Sequence, residues 1–158
     1  MRHNIATGIA TEEEGESVDP QQQALQDMLQ VLLPIRQRRL RRSQQQQRKQ
    51  EQALVQQQRI LQQGEQQLLV QRQQYQQSQS DFADRYTGTV HAQWEVQQGL
   101  EDEQSHRQQM LQQQSHTQQL SQQVTAQQEN LTRAKQDVQL CQRAVEKVEY
   151  LLQQRGEI

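Results

Sequence analysis

Large apolar side chains return every seventh residue along most of this chain. One phase reads Leu33, Leu40, Gln47, Leu54, Leu61, Leu68, Tyr75 and Phe82, and the same register resumes as Met110, Thr117, Val124, Leu131, Val138, Val145 and Leu152. A sevenfold repeat lays its large residues along one narrow helical stripe, the seam of a coiled coil, whereas a globular core needs a broader apolar face. The pattern predicts an all-α chain of long coiled-coil helices, a rod whose function is contact and not chemistry.

The two halves differ in the second seam position. In the first half, Leu40, Leu54, Leu61 and Leu68 carry the seam. Their companions are Gln57, Gly64, Gln71 and Ser78, or, one residue later, Gln58, Glu65, Arg72 and Gln79. In the second half, Leu120, Ala134, Cys141 and Val148 join Val124, Leu131, Val138, Val145 and Leu152, and only Gln113 and Gln127 spoil the second column. Polar residues at seam positions cost stability but can specify register and partner number. The second helix is therefore expected to be the sturdier one.

Residues 1–22 set Glu12, Glu13, Glu14, Glu16 and Asp19 against a single Arg2 and read as a disordered acidic leader. The coiled coil should occupy residues 23–154. A short amphipathic patch with Leu25, Met28, Leu29, Leu32 and Leu33 comes first, and then Pro34, a residue tolerated in the first turn of a helix. The first long helix is thus expected over about residues 34–86, roughly 80 Å at 1.5 Å per residue. Thr87-Gly88-Thr89 is the best turn signal, with Gly99 as a second candidate, so the turn is placed at about 87–90 and the second helix at about 91–154. The expected fold is a long antiparallel two-helix hairpin. A rival remains open: the heptad phase runs unbroken through Thr89, Val96 and Glu103, as in a single helix of a parallel homodimer.

Composition supports a helical rod. Only 31% of the residues are hydrophobic and 3% aromatic, too few for a compact domain of this length, and 45 are glutamine, a good helix former. The formal net charge of −2 commits the whole chain neither to nucleic acid nor to a membrane. One cysteine, Cys141, excludes an intrachain disulfide framework and fits a reducing compartment. The first ten residues lack a signal-peptide pattern, and Val31–Leu33, the longest apolar run, is far too short to span a bilayer. A soluble, cytoplasmic protein without membrane insertion is expected.

No catalytic constellation stands out. His3, His91, His106 and His116 lack the spacing that puts two ligands on one helix face, and Cys141 falls on the seam as a small apolar residue. Glu101, Asp102 and Glu103 read as a solvated face or helix-start charge, so no metal or cofactor is expected. Two features rise above this background. Arg36, Arg38, Arg39, Arg41, Arg42, Arg48 and Lys49 form a basic collar with no acid between them, suited to docking on an acidic surface. Tyr75, Phe82, Tyr86 and Trp94, four of only five aromatics, surround the expected turn as a cap or a contact patch.

The chain opens its first long helix with Leu33-Pro34-Ile35-Arg36-Gln37-Arg38-Arg39 and closes with Ala144-Val145-Glu146-Lys147-Val148-Glu149-Tyr150-Leu151-Leu152. Over residues 33–154 it resembles the central-stalk proteins of bacterial type III secretion systems, the YscO/HrpO group, whose flagellar counterpart is FliJ. The resemblance implies a hairpin similar to the coiled coil of a rotary ATPase γ subunit. It implies a protein seated in the pore of the hexameric secretion ATPase, promoting its activity and reaching an export-gate protein, with secretion chaperones as further partners. The collar would face the ATPase and the aromatic turn the gate. Two other readings fit the residues: a general coiled-coil adaptor or dimeric scaffold, and a nucleic-acid-binding protein using the collar. The acidic leader and the modest overall charge argue against nucleic acid.

Overall fold

The computed structural model describes residues 19–156 and contains two long helices that pack against each other as an antiparallel hairpin, α1 (Pro20–Tyr86) and α2 (Gln93–Gln154). Most of the acidic leader lies outside the described residues. The start of α1 departs from expectation: it begins at Pro20, not at Pro34, which lies inside it. Asp19 supplies the cap. Its Oδ1 accepts the Gln21 N–H at 3.1 Å and its carbonyl accepts the Gln23 N–H at 3.0 Å, with Pro20 at the first helical position.

Tertiary packing explains why Pro34 does not end the helix. An interior proline costs about 3 kcal/mol, having no N–H for the ladder. The turns just before it carry Leu29, which is buried against Val148 and Leu152, with Leu32 and Leu33 packed alongside. Val148 and Leu152 are 1% and 2% exposed, the most deeply buried apolar residues among those described. Burying three such side chains is worth about 5–9 kcal/mol, more than the proline cost, and requires residues 20–33 to stay helical and keep Leu29 on the seam.

The helices end in glycine conformations. Gly88 (φ 73°) lies in the turn after α1 and Gly156 (φ 72°) closes α2, where the Arg155 and Gly156 N–H groups bond to the Leu152 and Gln153 carbonyls at 3.0 Å. At the end of α1 the Arg85 carbonyl accepts the Thr89 hydroxyl at 2.9 Å and lies 2.8 Å from His91 Nε2. The Ala92 carbonyl then accepts the first bonds of α2, from Glu95 and Val96. Residues 87–92 thus break the helix despite the unbroken heptad phase, and the single-helix alternative is not the fold.

Contacts divide the hairpin into two units, Met1–Gln45 with Gln136–Ile158, and Gln46–Lys135. In the first, α1 and α2 are joined by the Leu29–Val148–Leu152 core and by three polar links. Arg36 Nη1 donates to the Ala144 carbonyl at 2.9 Å, Arg155 Nη1 donates to the Gln22 carbonyl at 3.0 Å, and Ser43 Oγ lies 3.3 Å from Cys141 Sγ. In the second, Leu68, Leu120, Val124 and Ala134 are buried together with polar Thr117 and Gln127.

Candidate functional site

The helical face turned inward selects one of the two possible companion columns of α1. Gln57, Gly64, Gln71 and Ser78 are buried or half-buried, while Gln58, Glu65, Arg72 and Gln79 are exposed. The first column continues back through Gln50, Ser43 and Arg36, so α1 presents alternating apolar and polar positions to α2. Of the expected seam residues, Leu68, Leu120, Val124, Val145, Val148 and Leu152 are buried, and Leu40, Leu54, Leu61, Leu131 and Val138 are half-buried.

The polar column makes specific contacts. In the Gln46–Lys135 unit, the Gln127 side-chain amide donates to the Gln50 carbonyl at 3.2 Å and also bonds the Gln50 side chain. Gly64 leaves its carbonyl open to Gln113 Nε2 at 3.2 Å and to the Thr117 hydroxyl at 3.4 Å. A β-carbon there would sit 3.1 Å from Leu120 Cδ1, so glycine permits this close approach. Gln57 Oε1 and Gln71 Oε1 are buried with no hydrogen-bond partner among the described residues. The sequence pattern implied that polar seam residues cost stability and can specify register, without saying which of them bond. The cross-helix bonding of Gln50, Gln113 and Gln127 depends on which residue lies opposite, and periodicity along one helix carries no such information.

The basic collar separates into different roles. Arg36 is half-buried and committed to the Ala144 carbonyl, so it belongs to the seam of its unit. Arg38, Arg39, Arg41 and Arg42 are exposed in that unit, and Arg48 and Lys49 are exposed in the other. None of these six forms an ion pair among the described residues. The Arg36–Ala144 bond places the Arg38–Arg42 segment beside the C-terminal part of α2.

The aromatic group also separates. Phe82 and Tyr86 pack with their rings tilted by 51° at a centroid distance of 4.8 Å, and His91 meets Tyr86 edge-on at 5.0 Å. Tyr86 donates its hydroxyl to the Glu95 carbonyl at 3.0 Å, tying the last turn of α1 to the first turn of α2. Gly99 makes room for these rings: a β-carbon would fall 2.8 Å from Tyr86 Cε2. Gly99 therefore lies inside α2 as a packing glycine and is not the turn. Tyr75 bonds Gln79 at 2.8 Å, and Trp94 stands exposed without a ring contact among the described residues. Asp81, Asp84, Glu95, Glu101, Asp102 and Glu103 give this region an acidic character, opposed only by Arg85. His91, to which the sequence pattern assigned no role, packs against Tyr86 and caps the end of α1.

Among the described residues, no three His, Cys, Asp or Glu side chains come together to hold a metal ion. No described helix is long and apolar enough to cross a membrane. No family model, curated protein or solved structure gives a significant match to this chain.

Proposed function

We propose that this chain is a coiled-coil stalk of a bacterial type III secretion system, cytoplasmic and peripheral to the apparatus at the inner membrane. In this role it docks in the pore of the hexameric secretion ATPase, promotes ATP turnover and reaches an export-gate protein, with secretion chaperones as additional partners. The observation that carries the reading is the antiparallel hairpin with Arg38, Arg39, Arg41 and Arg42 exposed and without ion pairs next to the closing segment of α2. Charge without a local partner, held on a firm helix, suits capture by an acid-lined ring. The acidic, partly aromatic turn region suits a different contact, with Trp94 as its exposed anchor.

The decisive experiment is ATP turnover by a candidate secretion ATPase with and without this protein. Wild-type protein should stimulate turnover and co-purify with the enzyme. Replacing Arg38, Arg39, Arg41 and Arg42 by Glu should abolish stimulation while leaving the circular dichroism of the hairpin unchanged. Equal stimulation by the variant would remove the arginines from the contact.

A further inference from the structure

In the Met1–Gln45 with Gln136–Ile158 unit, α1 turns Leu29, Leu33, Arg36, Leu40 and Ser43 towards its seam. Helical geometry then puts Ala24, Met28, Val31, Ile35, Arg38 and Arg42 on the far face. That face should be the polar one. Elsewhere glutamine fills most such positions, yet here Met28 is 63% and Val31 65% exposed, and Ile35 is exposed in the next turn. A shallow groove of about 430 Å³ follows these side chains, lined by Ala24, Asp27, Met28, Val31, Leu32 and Ile35. Apolar residues four, three and four positions apart are the spacing by which one helix is gripped by another.

The same face becomes cationic within one turn. Arg38 and Arg42 continue the line of Val31 and Ile35, Arg39 and Arg41 flank it, and residues 34–50 contain no acid. Asp27, the one carboxylate beside the groove, is already bonded by Gln23 Nε2 at 3.1 Å. An apolar stretch followed end-on by unpaired arginines needs an occupant that is apolar at one end and anionic at the other. A lipid surface matches poorly. Helices lying in a membrane interface carry their cations on the polar face opposite the apolar one, and here the face opposite Met28, Val31 and Ile35 is the seam packed on α2.

We propose that the outer face of α1 from Met28 to Arg42 is a two-part docking surface for an acidic amphipathic helix of a partner protein. Apolar side chains of the partner cover Met28, Val31 and Ile35, and its carboxylates meet Arg38 and Arg42. The proposal deepens the docking role given above to the basic segment and rests on that reading for the acidity of the partner.

The test uses the full chain and a synthetic helical peptide with leucines on one face and glutamates in the adjoining turns, read by fluorescence anisotropy. A second peptide with lysine for each glutamate, and vesicles of neutral or anionic lipid, are parallel arms. The acidic peptide should bind saturably. The variant Met28→Gln/Val31→Gln/Ile35→Gln should weaken binding at least about tenfold, as should Arg38→Gln/Arg42→Gln, with both variants retaining full helicity. Added salt should weaken wild-type binding more than binding by the arginine variant. No binding of the acidic peptide, equal binding by the triple variant, or equal binding of the lysine peptide would overturn the proposal, and tighter binding to anionic vesicles would overturn it in favour of a lipid. ATPase stimulation is read separately. Its absence with peptide binding intact would sink the stalk function alone, and stimulation that survives the loss of peptide binding would sink the docking surface alone.

Discussion

The two units of the hairpin are built on different chemistry. The unit holding both helix ends is closed by an apolar core of Leu29, Val148 and Leu152, and its polar links lie around that core. The Gln46–Lys135 unit buries fewer large apolar side chains and alternates them with polar contacts, Gln127 to Gln50 and Gln113 and Thr117 to Gly64. Apolar burial is non-directional and supplies most of the stability, while a hydrogen bond across the seam adds little net energy but works in one register only. The deepest apolar burial therefore lies in the first unit, while polar contacts across the seam select the register in both.

The sharpest way to break this contrast is Leu152→Ala. It should cost about 3 kcal/mol in urea denaturation, with loss of amide-exchange protection concentrated in residues 20–45. A loss below about 1 kcal/mol would mean the Leu29–Val148–Leu152 core is not the main clamp. The opposite sign is expected in the other unit. Gln57→Leu and Gln71→Leu each replace a buried, unpartnered carbonyl oxygen by apolar surface and should each raise stability by about 1–2 kcal/mol. Destabilisation by both would show that these glutamines also hold the seam. The smallest effect is expected at Gly99→Ala. The new methyl gains about 1 kcal/mol of helix propensity but forces the Tyr86 and Phe82 rings aside. A net loss of about 1 kcal/mol, with a change in near-ultraviolet circular dichroism from the displaced rings, should result; an unchanged spectrum would mean the rings are not displaced, and unchanged stability that they move without cost.

Much of the helical architecture was legible because the signals are short-range. Period near 3.5, the glutamine-rich helix propensity and Thr87-Gly88-Thr89 are properties of neighbouring residues. The start of α1 was partly legible too: Asp19-Pro20 is a cap followed by a proline at the first helical position, a signal overshadowed by Pro34. Pro34 carries a local penalty that is offset by packing against Val148 and Leu152, more than a hundred residues away. The unbroken phase across the turn kept the single-helix rival open for a similar reason, since a loop of suitable length leaves phase unchanged without continuing a helix. Within the candidate site, the charge of the Arg38–Arg42 segment could be read directly. The withdrawal of Arg36 into the seam and the exposure of Met28, Val31 and Ile35 could not, because α1 offered several faces of similar quality to a partner.

By itself, the amino-acid sequence determined that the chain is helical, that one apolar column repeats every seven residues, and that its first half lacks a second. Only the tertiary structure decided that Gln57, Gly64, Gln71 and Ser78 form that second column, that helix extends back through Pro34 to Pro20, and which apolar face remains uncovered. The reason is one of range. Propensity and periodicity act between residues a few positions apart, whereas the choice of face and register is made by side chains such as Gln50 and Gln127 that meet only once the hairpin closes.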